Sequence, residues 1–153
     1  QSARNLLVIG VRVEALEARN RKRGLVPEAT IAKLDEDRNL VFGWANVALT
    51  ADGELVTDSH DDQIDPETLE DAAYEFALSF REANEMHEGP VIGDMVESVV
   101  FTDEKIAAMG LPAGTVPQGW WIGLKLEPEA FAKVKDGTYS MFSIEGIAER
   151  VAA

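Results

Sequence analysis

A chain of 153 residues, 46% of them hydrophobic, suits one globular domain over residues 1–153, with a core that needs no disulfide or metal staple. Its 28 acidic and 14 basic residues leave a net charge of −14, which repels nucleic-acid phosphate and anionic lipid and makes both poor partners. Cysteine is absent, which excludes a thiol nucleophile and a cysteine-based zinc site, and no apolar run approaches the length of a membrane span.

The first residue is Gln rather than Met, so the start reads as a cut or processed edge, and Leu6 to Val11 lacks the basic leader of a signal peptide. Leu6 to Leu16 carries Val8, Ile9, Val11 and Val13 and predicts a strand. The basic cluster Arg19, Arg21, Lys22 and Arg23 reads as an exposed loop, and also as a place where a protease could cut. Ala29 to Asp35 and Leu40 to Leu49 predict two strands joined by the turn residues Asp35-Glu36-Asp37-Arg38-Asn39. Gly43 within the second marks a bulge or a close backbone approach.

Thr50 to Asp65 is a polar, acidic loop, and its exit is a helix start with Asp65 as N-cap and Pro66 at the first helical position. Leu69, Ala72, Ala73, Phe76, Ala77 and Phe80 then recur at helical spacing, which predicts one buried face and an end near Ala83. Met86 to Thr102 predicts a strand broken at Gly89-Pro90. A short helix capped by Thr102 or Asp103 follows, ending near Met109. Gly119 to Leu126 reads as a strand, Pro128 to Val134 as a short helix, Asp136-Gly137 as a turn, and Thr138 to Val151 as the last strand region. About seven strands with short turns, and two or three helices, predict an α+β protein: a mostly antiparallel β-barrel with helices outside it.

Three features carry chemistry. Ser143 sits in Met141-Phe142-Ser143-Ile144-Glu145-Gly146, an apolar run where an unpaired buried hydroxyl costs about 1–3 kcal/mol. Strand alternation puts it on a face with Met141 and Glu145, opposite Phe142 and Ile144. Taken alone, a half-buried strand serine bonded to neighbouring backbone is the plainer reading than a nucleophile, and Ser140 nearby is a weaker competitor. His87, one of two histidines, lies between Met86 and Glu88 before a Gly-Pro turn, and a neutral imidazole can take a hydroxyl proton. A surface histidine at a strand end is the plain alternative, and His60, among aspartates, reads as a solvated bystander. Asp58, Asp61, Asp62 and Asp65 could hold a hard cation, although Gln63 and Leu69 stand where an EF-hand requires Gly and Glu. In Trp120-Trp121 one indole faces the core and the other faces out.

The order of these elements resembles the XkdF-type prohead proteases of tailed bacteriophages. The likeness covers roughly residues 40 to 147. It runs through Val41-Phe42-Gly43-Trp44-Ala45-Asn46-Val47, Asp58-Ser59, Ile64-Asp65-Pro66-Glu67, Met86-His87 and Pro90-Val91-Ile92-Gly93. It continues through Val96-Glu97-Ser98, Gly119-Trp120-Trp121-Ile122-Gly123 and Met141-Phe142-Ser143-Ile144. The resemblance implies a fold similar to herpesvirus assemblin, with Ser143 as nucleophile and His87 as general base. Related phage proteases carry an acidic third member on a strand that commonly follows the serine strand. Some relatives carry the equivalent strand at the N-terminus, and the likeness of Val11-Arg12-Val13-Glu14-Ala15-Leu16 to it makes Glu14 the candidate.

The implied role is a serine endopeptidase that cleaves scaffold protein, capsid-protein extensions and its own chain. It would act inside the immature head in the host cytoplasm, without cofactor or metal, with self-association by analogy to assemblin. Gly146 or a nearby loop would supply backbone donors to the oxyanion. The competing readings are an inactive scaffold or capsid-assembly protein sharing the fold, and a cation-binding module built on residues 58–65.

Overall fold

Segments of alternating apolar residues form one sheet, and the computed structural model describes the chain over residues 2–15, 31–57, 63–85 and 90–151. In chain order the elements are β1 (Ser2–Glu14), β2 (Ile31–Asp35), β3 (Leu40–Leu49), α1 (Pro66–Ser79) and β4 (Glu82–Glu85). They continue with β5 (Val91–Phe101), α2 (Asp103–Ala108), β6 (Gln118–Leu126), α3 (Pro128–Lys135) and β7 (Met141–Val151). The seven strands lie in the order β2-β3-β6-β5-β4-β1-β7. All neighbours are antiparallel except β1 and β4, so the α+β class and the mostly antiparallel sheet are as expected.

The expected barrel is a sheet that does not close. β2 and β7 occupy the two edges, and no ladder joins them among the described residues. They meet through one backbone hydrogen bond, Ile31 N–H to Ser140 O at 2.9 Å. Closure requires a staggered ladder on both sides of every strand. β2 has five residues, exposed at Ala32, Lys33 and Leu34, and its register is spent on β3. Its bulge falls between Ile31 and Lys33, opposite Gly43 and Phe42, so the irregularity expected at Gly43 lies in the partner strand.

The core forms where α1 meets the apolar face of the sheet. Leu69, Ala72, Ala73 and Phe76 of α1 join Val8, Val11 and Val13 of β1, Trp120, Ile122 and Leu124 of β6, and Phe142 of β7. Trp120 is fully buried, with its ring edge-on to Phe76 at 5.5 Å. Trp121 takes the opposite face and packs edge-on to Trp44, its cross-strand partner, at 5.3 Å. On that second face Phe42 lies over Gly123, where a Cβ would stand 2.7 Å from Phe42 Cε1. α2 is tied to α1 by Lys105, whose ammonium meets Glu70 at 2.6 Å and lies 5.0 Å from the centre of the Tyr74 ring.

α1 begins as its cap chemistry dictates. Asp65 Oδ1 accepts from Thr68 N–H at 2.9 Å, and Oδ2 accepts from the Thr68 hydroxyl at 2.8 Å. Asp65→Ala is expected to cost about 1 kcal/mol, a fall in Tm of roughly 2–4 °C, measured by thermal unfolding; an unchanged Tm would show that the cap contributes nothing. The helix ends at Ser79, four residues before the expected stop. Phe80 and Arg81 both donate to Phe76 O, and Arg81 takes φ +63°, a left-handed conformation that ends the helix. Glu82–Glu85 then pairs parallel to β1 and antiparallel to β5. Glu-Ala-Asn-Glu carries no strand propensity, so only these two ladders make it a strand.

Candidate active site

β7 alternates as its sequence predicts. Phe142, 1% exposed, and Ile144 point to the α1 side, while Met141, Ser143 and Glu145 share the other face. The Ser143 hydroxyl is closed off from solvent and has no hydrogen-bond partner among the described residues. A buried hydroxyl costs about 1–3 kcal/mol where nothing engages it, and no described residue engages this one.

Register supplies the surroundings of Ser143. In the β1–β7 ladder Ser143 is opposite Arg12, Met141 is opposite Glu14, and Glu145 is opposite Gly10. A register shift between Val8 and Gly10 sets this alignment, because it moves Gly10, Arg12 and Glu14 onto the serine face while Val8, Val11 and Val13 stay in the core. Arg12 Nη2 meets Glu145 Oε1 at 2.8 Å, with the arginine side chain 9% and the glutamate side chain 34% exposed. On the other flank of β1, Asn84 of β4 is in register with Arg12. Glu145 and Asn84 come together over Gly10: a Cβ there would make ordinary van der Waals contact with both Asn84 Nδ2 and Glu145 Oε2, at 3.4 Å.

Glu14, half-buried, stands two residues from Arg12 on the same face of β1, and its carbonyl accepts from Ser140 N–H at 3.0 Å. The structure therefore brings Glu14 and Ser143 onto one face of adjacent strands. His87 lies outside the described residues, as do His60, Asp58, Asp61 and Asp62. The last residue described before His87 is Glu85, in register with Val13, so β4 ends beside the Val13–Glu14 end of β1. Gly146 sits inside the β1–β7 ladder opposite Val8. Ser140 contributes backbone groups to Glu14 and Ile31. Asp65 of the acidic loop is a helix cap, and no trio of potential metal ligands is assembled among the described residues.

Sequence reading missed Arg12, Glu145 and Asn84. The signal for Arg12 was present, since a guanidinium between Val11 and Val13 is as anomalous in an apolar strand as Ser143 is in its own. Asn84 gave none, because nothing local marked its segment as a strand.

The entry to β7 is a pinned turn. Asp136 Oδ1 accepts from Thr138 N–H at 2.8 Å and from its hydroxyl at 2.6 Å, and Gly137 takes φ +86°. The Thr138 hydroxyl and N–H hold the Asp136 carboxyl below its ordinary value. A depressed carboxylate pKa stabilises the fold above the unfolded-state value and loses that contribution as pH falls through the folded one. Thr138 amide exchange, corrected for its intrinsic pH dependence, is expected to lose protection on acidification below about pH 4, the ordinary aspartate range. Protection that is flat with pH would separate this turn from Asp136 ionisation.

No helix among the described residues is long and apolar enough to cross a membrane. The family model described as "Putative phage serine protease XkdF" matches residues 28–152. No curated protein and no solved structure matches the chain.

Proposed function

The chain belongs to the XkdF family of phage serine proteases, and from that membership we propose that it is an endopeptidase of capsid maturation with Ser143 as nucleophile and His87 as general base. The observation that carries this reading is the buried Ser143 hydroxyl, which has no partner among the described residues and stands opposite Arg12 on the face it shares with Glu145. In this reading a base and a substrate are the partners that engage it.

In the reaction, the Ser143 Oγ–H proton passes to the imidazole of His87 as Oγ bonds to the scissile carbonyl carbon. The tetrahedral intermediate collapses with cleavage of the C–N bond, and His87 returns the proton to the leaving amine. Water then attacks the acyl carbon while giving a proton to His87, and the second tetrahedral intermediate collapses with cleavage of the C–Oγ bond as His87 returns that proton to Ser143 Oγ. Glu14 fits the third position, where a carboxylate holds the imidazole tautomer. Its place on the serine face, at the end of β1 alongside the last described residue of β4, supports that role. The substrates are the scaffold protein and extensions of the major capsid protein, cut inside the immature head, with self-cleavage and self-association as further properties of this reading.

A fluorophosphonate probe tests the nucleophile without knowledge of the substrate. Oγ attack on phosphorus expels fluoride, and mass spectrometry is expected to find one adduct, on the peptide containing Ser143, that is lost in His87→Ala. Absence of any adduct on the folded protein would favour an assembly protein that shares the fold without the activity.

A further inference from the structure

We propose that Arg12 is a positioning residue for this reaction: its buried guanidinium, held by Glu145, keeps positive charge beside Ser143 where the oxyanion forms. The inference rests on Ser143 being the nucleophile. Arg12 is the direct cross-strand partner of Ser143, and side chains so placed on one face stand about 4.5–5.5 Å apart at Cβ. Among the described residues it is also the one charged residue that is buried, at 7% exposure.

A guanidinium taken from water into a sheet is costly unless its geometry is met by a partner. Glu145 meets it at 2.8 Å, and the Glu145 carboxylate and Asn84 amide both lie beside Gly10, two residues along β1. β1 and β7 thus place an ion pair next to the serine, with Asn84 of β4 in register on the other side of β1. Attack by Ser143 creates negative charge on the carbonyl oxygen, and poorly solvated surroundings strengthen the effect of any fixed charge nearby. Arg12 favours that charge. It also neutralises Glu145, whose carboxylate would otherwise stand two residues from the nucleophile on the same face and oppose the reaction.

The pair can be separated from its packing role by replacing both members. Arg12→Met leaves the half-buried Glu145 without this ion pair, whereas Arg12→Met with Glu145→Leu exchanges the pair for apolar groups of similar size, which folds tolerate well. The readouts are the second-order rate of fluorophosphonate labelling and the Tm. The double variant is expected to recover the wild-type Tm while labelling on the order of 100-fold more slowly, the usual loss when oxyanion stabilisation is removed. Arg12→Lys, which keeps the charge without the planar fork, is expected to label at an intermediate rate. Wild-type labelling by the double variant would overturn the proposal and leave the pair a packing element. The premise fails separately: if Ser143→Ala labels as fast as the wild type, the serine assignment falls, whatever the Arg12 variants do.

Discussion

Ser143→Ala is expected to abolish proteolysis while leaving the protein folded and at least as stable as the wild type. The two halves of this expectation have one cause. The hydroxyl is buried and has no partner among the described residues, so no described hydrogen bond offsets its desolvation. Removing it takes away an unsatisfied polar atom and leaves the methylene that packs in the strand. Catalysis, by contrast, loses the atom that forms the acyl bond, and losses of a nucleophile reach about 10⁶-fold because the triad acts as a unit. His87→Ala is expected to lose a comparable amount, since the two residues move one proton between them. The assay is cleavage of co-expressed scaffold protein, with thermal unfolding alongside. Undiminished cleavage by both variants would sink the protease assignment. A drop of more than about 1 kcal/mol in Ser143→Ala would show that the hydroxyl bonds to something in the resting state.

Trp120→Ala is expected to bring the largest loss of stability. The indole is fully buried, lies edge-on to Phe76 of α1, and donates its Nε1–H to Ser98 Oγ at 2.9 Å. Truncation removes the ring and the hydrogen bond to the exposed Ser98, and leaves a cavity between β6 and α1. A cost of about 3–5 kcal/mol follows, a fall in Tm of roughly 6–20 °C for a domain of this size. Trp121→Ala is the matched control. That ring is half-buried on the other face against Trp44, so the same chemical change should cost clearly less. Chemical denaturation of both variants decides the matter. An equal or greater cost for Trp121→Ala would contradict the two-faced reading of β6. The loss at Trp120 also bears on the site, because α1 packs on β1, and β1 presents Arg12 and Glu14 to Ser143.

How much of this was legible beforehand follows from the range of each interaction. The face of Ser143 was legible because side chains alternate along any strand, whatever the partner. The start of α1 was legible because Asp65, Pro66 and Thr68 complete the cap within four residues. The opposed fates of Trp120 and Trp121 followed from the same alternation. β4 was not legible, since Glu-Ala-Asn-Glu has neither the propensity nor the pattern of a strand and becomes one only between β1 and β5. The end of α1 moved with it, because Met95 N–H donates to Arg81 O at 2.8 Å and fastens the chain just past the helix to β5.

The candidate site divides in the same way. The sequence by itself determined that Ser143 lies in an apolar strand on the face away from Phe142 and Ile144, since period-two alternation is a property of the backbone alone. It also determined the family likeness that gives His87 and Glu14 their proposed roles. Only the tertiary structure decided that Arg12 stands opposite Ser143, that Glu145 pairs with it, and that the sheet stays open between β2 and β7. Those outcomes depend on register between segments more than 100 residues apart. A one-residue slip such as the bulge at Val8–Gly10 moves every later side chain to the other face, and no local pattern announces it.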